Sequence, residues 1–377
     1  MRVGILTQNF TGLSGANDFL KHIIFSLQSV AKKQQLELFI MLDVINYRNF
    51  KGIKRFFVKQ REIRQAKSIF KEFKNIKFIY FSSLASAFLK NNLDVVLPYM
   101  GTKLLDIKTI AYLYDCQHCY LPEFFSDDEI KARDAYFQNV VDCQQKIIVN
   151  AETVKDDLIK FFKASPEKIC VLPYTPKIDL CYYKDYSRQI KKYHLPKRYF
   201  MMSNQFWIHK DHPTAFRAFA EYLKTDADME FIFTGAMEDG RRPEYIRELK
   251  DLLKELNIED KVRFLGLIPK EEQLQIMKGA TAVIQTTLFE GGPGGGSVYD
   301  AAALGVPVVV SDIKTNLGVV YDRILYFRAG DAQDLCAQMR SIVAKAYMPI
   351  PVRDLIAKSQ TNMETLGNYL ANLIKEV

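Results

Sequence analysis

A chain of 377 residues, 48% hydrophobic and 25% charged, is long enough to bury two cores of ordinary domain size and too apolar to be a disordered or fibrous chain. Six cysteines are too few for a disulfide scaffold, and no run reaches the roughly 18 apolar residues that a helical span needs, so a cytosolic globular protein is expected. The opening MRVGILTQNF, with a four-residue apolar run, does not read as a secretory leader. The net charge of +8 is concentrated: between Arg48 and Lys77 stand eleven Lys or Arg against Glu62 and Glu72, which is +9 in that segment and −1 in the remainder.

Short aliphatic or β-branched runs of the kind that fill parallel sheets occur at Arg2 to Thr7, Leu36 to Asp43, Ile76 to Phe81, Asp94 to Pro98, Thr109 to Tyr114, Lys146 to Val149 and Ile169 to Leu172. Helical patterns separate most of them. The basic segment 48–77 carries Ile53, Phe56, Phe57, Ile63, Ile69, Phe70 and Phe73 at partly helical spacing, and predicts one or two basic amphipathic helices. Their stripe either packs on the domain or meets an anionic membrane surface; with no recognisable nucleic-acid module beside the charge, nucleic acid is the weakest of the three partners. After a polar and aromatic bridge from Cys181 to Arg198, the rhythm restarts at Tyr199 to Ser203. It continues through Glu230 to Thr234, Val262 to Leu265, Ala282 to Thr286, Val306 to Ser311 and Leu325 to Phe327. This predicts an α/β protein of two doubly wound Rossmann-like domains facing a cleft. The N-terminal domain spans 1–185 and the C-terminal domain 195–350, and a final helix, 351–377, packs back on the first domain.

Two glycine loops fall at strand-to-helix junctions, where such sheets bind ligands. Glu290-Gly-Gly-Pro-Gly-Gly-Gly-Ser-Val-Tyr-Asp300 places five glycines in six positions before a helical run, leaving backbone N–H groups free to approach an anion where the helix dipole favours it. Glu290 and Asp300 would repel a bare phosphate, and ionised carboxylates only accept hydrogen bonds, so the ligand should also carry hydroxyl donors. A sugar nucleotide carries both. Thr11-Gly-Leu-Ser-Gly-Ala-Asn17 makes a second loop with Gly12 and Gly15. No G-x-x-x-x-G-K-[ST] exists and the 291–296 run lacks the G-x-G-x-x-G register, which argues against a P-loop ATPase or a simple dehydrogenase.

The string TTLFEGGPGGGSVYDAAALGVPVVVSD (286–312) resembles the signature of retaining glycosyltransferases of family 4, and in particular a bacterial polysaccharide or O-antigen assembly subgroup. The segments CQHCYLPEFFS (116–126), NQFWIHKDHPTAFRAF (204–219) and KVRFLGLIPKEEQLQIMKGATAVI (261–284) agree in order and spacing, whereas 45–105 shows little likeness. The resemblance implies a GT-B fold and a nucleotide-sugar-dependent hexosyl transfer without cofactor or metal. It puts Glu290 on the donor sugar, Gly294, Gly295, Gly296 and Ser297 at its phosphates, Asp300 on the ribose, and Leu267 and Ile268 at the base. Lys210 would neutralise the diphosphate, helped by His209 and His212, and His118 would reach the sugar from the N-terminal side. Two departures stand out: the second acid is Asp and lies two residues further on, and Gln205, after Asn204, replaces the arginine usual five residues before the lysine.

Cys116 and Cys119 flank His118 as C-x-x-C, without the second pair that a zinc site would want, so they read as small buried residues. Asp226-Ala-Asp228 has the form of a metal-binding DxD but falls on a helix-to-strand turn that faces away from the ligand edge, and reads as a solvated turn. The expected acceptor is a glycan or lipid-linked glycan, with the enzyme peripheral on the inner membrane face through 48–77. The alternatives of another class are a GT-B nucleotide-sugar epimerase, a glycogen-type phosphorylase, for which the chain is too short, and a catalytically silent carbohydrate- or partner-binding relative.

Overall fold

The computed structural model describes residues 1–8, 10, 14–43, 52–70, 72–73, 75–101, 107–178, 183 and 187–377. In the N-terminal half, strands β1 (Arg2–Leu6), β2 (Glu37–Asp43), β3 (Lys77–Phe81), β4 (Val95–Tyr99), β5 (Thr109–Tyr112), β6 (Ile147–Val149) and β7 (Ile169–Val171) alternate with helices α1 (Ser14–Gln34), α2 (Gly52–Ile69), α3 (Leu84–Lys90), α4 (Gln117–Tyr120), α5 (Asp127–Cys143) and α6 (Glu152–Phe162). They form one parallel seven-stranded sheet in the order β3-β2-β1-β4-β5-β6-β7. Helix α7 (Ser187–Tyr193) leads into the second half. There β8 (Tyr199–Ser203), α8 (His212–Leu223), β9 (Glu230–Thr234), α9 (Tyr245–Glu255), β10 (Val262–Phe264), α10 (Lys270–Lys278), β11 (Ala282–Gln285), α11 (Gly295–Leu304), β12 (Val308–Ser311), β13 (Ile324–Phe327) and α12 (Ala332–Ala344) build a parallel six-stranded sheet, β10-β9-β8-β11-β12-β13. Both sheets are doubly wound, with their strand order reversing between β1 and β4 and between β8 and β11. Ligands of such sheets bind at that switch, beyond the carboxyl ends of the strands.

Every strand expected from the sequence is present, with ends shifted by two residues at most. The reason is physical: strands covered by helices on both faces must be apolar along their length, and β4, β5, β6, β11 and β12 are buried at every position. Among its described residues the basic segment contains one helix, α2. Among its described side chains Phe56 and Phe57 are 59% and 60% exposed, while Phe70 and Phe73 just beyond it are buried. Gly12, Cys181, Lys51, Lys71 and Lys74 lie outside the described residues. No helix of the described residues is long and apolar enough to cross a membrane.

The last helix, α13 (Val352–Glu376), leaves the C-terminal domain and lies along α1. Its Leu366, Leu370, Ala371, Leu373 and Ile374 join Leu20, Ile23, Ile24, Leu27 and Val30 in one core. Each buried leucine or isoleucine contributes about 1.5–3 kcal/mol. Asn368 Oδ1 accepts from Gln34 Nε2 at 2.7 Å, and Lys375 Nζ donates to Gln34 Oε1 at 2.7 Å. The approach is closest at Gly367, where a Cβ would stand 2.0 Å from the Ser26 carbonyl oxygen. Gly367→Ala should therefore push the two helices apart, lowering the stability of the N-terminal domain by about 1–3 kcal/mol in denaturant melts.

Candidate functional site

Glu290 follows β11 at the carboxyl edge of the second sheet, and Lys210 reaches the same point from the loop after β8. That loop closes in a 3-10 turn, Ile208–Lys210, and is tied to the β11 extension by backbone: Leu288 N–H donates to the His209 carbonyl at 2.8 Å, and Thr286 Oγ1 donates to the Lys210 carbonyl at 2.7 Å. Asp211, in the left-handed region at φ 51°, then caps α8 through its carboxylate. With the backbone so held, Lys210 Nζ donates to Glu290 Oε1 at 2.6 Å, both side chains being nearly buried. Gln285, the polar end of an otherwise aliphatic strand, connects the rest. It exchanges amide hydrogen bonds with Asn204, and its Nε2 lies 3.4 Å from Glu290 Oε1, from the Gly294 carbonyl and from Ser297 Oγ.

The glycines of the turn serve different ends. A Cβ at Gly291 would lie 2.4 Å from the Tyr114 carbonyl oxygen and 2.8 Å from Asp115 Cβ, so this glycine is where the C-terminal domain touches the N-terminal one. Gly294 and Gly295 have φ of 73° and 63°, conformations that side chains rarely adopt, and they turn the chain into α11. Around Gly296 a Cβ would meet nothing within 4 Å. Gly294 N–H donates to Asn316 Oδ1 at 3.0 Å and Gly295 N–H to the Gly292 carbonyl at 3.1 Å, so it is the N–H groups of Gly296 and Ser297, beside Glu290 and with open space at Gly296, that suit an anion.

Across the cleft, the groups facing this turn are only partly those expected. Asp115, three residues beyond the end of β5, lies against Gly291 and interacts with the charges of Glu290 and Lys210; burial pushes its carboxyl above the usual range, with Glu290 adding to the effect and Arg133 and Lys210 opposing it. His118, one turn further on in α4, points elsewhere. Its side chain is wholly buried among Phe125, Phe137 and Phe162, with Nε2 3.2 Å from Asp134 Oδ1, so it does not reach the sugar side of the cleft as expected. Sequence reasoning missed Asp115, although an acid at the carboxyl end of a parallel strand is itself a signal.

The two histidines expected near the diphosphate are also core residues. His212 stacks on Phe206 at 4.3 Å and is pushed down to about 3 by burial, while His209, set between Trp207 and Phe124, is pushed down to about 2, again chiefly by burial. Neither offers a charged imidazole at neutral pH. Cys116 is fully buried and Cys119 partly so, and burial raises both thiols, Cys119 to about 11. Among the described residues one grouping, His118, Cys119 and Asp134, has ligand atoms within 4.8 Å of one another, and it contains no acid of the glycine turn. Asp226 of the DxD-like turn is paired with Arg198 through two hydrogen bonds of 3.0 and 2.8 Å and lies before the amino end of β9, the edge opposite the cleft.

The remaining expected positions surround the same edge. Leu267 is 74% exposed after β10, beside the partly buried Ile268, which excludes core packing as the reason for Leu267. Gly15, in the first turn of α1, is exposed with open space around it. Asp300 is bound by Lys270, which also reaches Asp18 of α1 in the other domain. Burial works against the Lys270 ammonium, yet the two carboxylates together outweigh it and hold its pKa well above the ordinary lysine range.

Comparisons with known proteins agree with this architecture. Residues 184–358 match the family described as glycosyl transferases group 1. The O-antigen chain mannosyltransferase RfbU of Salmonella typhimurium is 25% identical over 272 residues, covering 71% of this chain and 70% of that one. Among solved structures, Anabaena HepE in complex with UDP superposes with a TM-score of 0.63 at 14% identity, covering both chains fully. WaaG, a glycosyltransferase involved in lipopolysaccharide biosynthesis, gives 0.59 at 12% over both full chains. At those identities the likeness is one of fold: two Rossmann-like domains in the GT-B arrangement.

The glycine contacts separate packing from ligand space. Gly291→Ala should force the domains apart and shift small-angle scattering towards a more open molecule. Gly296→Ala should leave scattering unchanged and should not lower the melting temperature, since a Cβ there meets nothing within 4 Å and alanine is the better helix former.

Proposed function

We propose that this protein transfers a hexose-type sugar from a nucleoside-diphosphate sugar to a hydroxyl of a glycan or lipid-linked glycan, with retention at the anomeric carbon and without a metal ion, as a step of polysaccharide assembly. The observation that carries this reading is the 2.6 Å Lys210–Glu290 pair beside the open first turn of α11, in the cleft of a GT-B architecture. Cation, carboxylate and free N–H groups together suit a ligand that combines negative charge with hydroxyls. The group 1 match and the mannosyltransferase relative support the same class.

In this reading Glu290 accepts hydrogen bonds from the donor sugar, and Asp115 takes the N-terminal position beside it that the sequence had assigned to His118. Asp300 meets the ribose, and Leu267 and Ile268 meet the base. The bond from the anomeric carbon to the β-phosphate oxygen breaks while the acceptor oxygen bonds to the same face. The acceptor proton passes to the departing phosphate oxygen. The charge that gathers on the diphosphate is met by Lys210 and by the N–H groups of Gly296 and Ser297, those expected of Gly294 and Gly295 being held by Asn316 Oδ1 and the Gly292 carbonyl, and this electrostatic support is the protein's main contribution. Gln205, in place of an arginine, and Asn204 add only uncharged amides, which leaves Lys210 as the main cation at the phosphates. Lys210→Ala should lower turnover by about two orders of magnitude with the fold retained by circular dichroism. Near-normal turnover, or the absence of any thermal shift with UDP-, GDP- or dTDP-sugars, overturns the assignment.

The acceptor side draws on charge. The described part of α2 presents Phe56 and Phe57 to solvent in a segment of net charge +9, which suits a peripheral seat on an anionic membrane at its cytoplasmic face. Co-sedimentation with vesicles should rise with anionic lipid and fall between 0.1 and 0.5 M salt, roughly as screening lengths shorten. Sedimentation insensitive to both removes the membrane from the proposal.

A further inference from the structure

His118 does not serve the sugar side of the cleft, and its surroundings offer it another role. Helix α4 places Cys119 directly after it and α5 brings Asp134 against both, so that the ligand atoms of an imidazole, a thiol and a carboxylate lie within 4.8 Å of one another. His118 Nε2 stands 3.2 Å from Asp134 Oδ1. That is longer than the roughly 2.7–2.9 Å of a charge-assisted hydrogen bond, and close to the roughly 3.3 Å between two ligands held about 2.0–2.1 Å from a tetrahedral cation. His118 Nδ1 is buried and has no hydrogen-bond partner among the described residues, so no donor at Nδ1 keeps the ring proton on Nε2. With the proton on Nδ1, the Nε2 lone pair and the carboxylate face each other and need a cation between them.

One nitrogen, one sulfur and one oxygen form a donor set that favours Zn²⁺ over Mg²⁺ or Ca²⁺, which take oxygen ligands. A thiolate and an imidazole on Zn²⁺ stand roughly 3.5 Å apart, so the cluster closes with at most ~1.3 Å of side-chain movement. Asp134, whose side chain is 52% exposed, is free to supply it. A cavity of about 550 Å³, bounded by Cys119, Asp134, Gln138 and Phe162, opens beside the cluster and gives water the fourth position. The nearby cations are turned aside on aromatic faces, Arg133 over Phe125 at 4.5 Å and Lys160 over Phe161 at 4.4 Å. We propose that His118, Cys119 and Asp134 form a Zn²⁺ site that pins α4 to α5. On binding, the Cys119 S–H bond is replaced by a sulfur–metal bond and the proton leaves to solvent. Cys116 takes no part, so the C-x-x-C spacing is incidental. None of the three ligands belongs to the glycine turn, and the site stands apart from the transfer reaction and does not depend on that reading. Its effect is positional: α4 begins two residues after Asp115, whose Oδ1 accepts from Gln117 N–H at 3.0 Å, so a cation that fixes α4 also steadies the acid facing Glu290.

The test titrates the reduced full-length protein, stripped of metal with EDTA and free of any affinity tag, with Co²⁺ and then with Zn²⁺. A single equivalent of Co²⁺ should bind with the visible absorption of a tetrahedral ion and a thiolate-to-cobalt charge-transfer band, and Zn²⁺ should displace it. Zn²⁺ at about hundredfold excess over its Kd should raise the melting temperature by roughly 5 °C. In Cys119→Ser the charge-transfer band should vanish. In Asp134→Asn the band should remain while affinity falls by at least about tenfold. Absence of stoichiometric binding or of the charge-transfer band in the unaltered protein, a band that survives in Cys119→Ser, or an unchanged affinity in Asp134→Asn overturns the proposal. The titration of the unaltered protein decides on its own if a variant does not fold.

Discussion

The cleft is organised by one close approach. The glycine turn after β11 meets the N-terminal domain at the Tyr114 carbonyl, where a Cβ on Gly291 would stand 2.4 Å from the oxygen, and at Asn150, where a Cβ on Gly292 would stand 3.2 Å from another Cβ. No side chain larger than hydrogen fits between those backbones at Gly291. Because the approach is this close, Asp115 from one domain and Glu290 and Lys210 from the other share a single electrostatic environment. Other links lie around it: Thr153 Oγ1 with Thr315 Oγ1 at 2.9 Å, Lys314 with Asp156 at 2.8 Å, and the packing of Tyr120 against Phe289.

The site then solves a problem of charge. Three acids, Asp115, Glu290 and Asp300, lie beside a helix start suited to anions, which on its own would be self-defeating. Lysines resolve it by pairing: Lys210 with Glu290, and Lys270 with both Asp300 and Asp18. A buried ion pair contributes little net stability, since each ion has lost its hydration, and its value lies more in what it specifies. In the proposed reading, a sugar nucleotide would exchange partners with such pairs, its hydroxyls taking up the carboxylates and its diphosphate taking up the ammonium of Lys210.

The fold was largely legible because parallel strands covered on both faces must be apolar throughout, and helices between them must show a different period. The glycine turn was legible for a related reason: so many glycines in succession are needed only where backbone must come close to something. What was not legible was the direction in which individual side chains point. Asp115 and His118 stand three residues apart in one loop, and a single turn of helix sends the first to the cleft and the second into a pocket of phenylalanines. His209 and His212 likewise flank Lys210, yet both pack inward on Trp207, Phe206 and Phe124.

Lys270 illustrates the limit from the other side. In the sequence it is one of many lysines before a helix, with nothing local to set it apart, and its partners lie 30 residues ahead and more than 200 behind. Local pattern determined the two sheets, the glycine turn and the pair of acids bracketing it, because these follow from burial, backbone freedom and charge within a few residues. Tertiary structure alone decided which acid faces Glu290, which histidines are buried and which lysine joins the two domains. Those outcomes depend on contacts between segments distant in the chain, and periodicity carries no information about them.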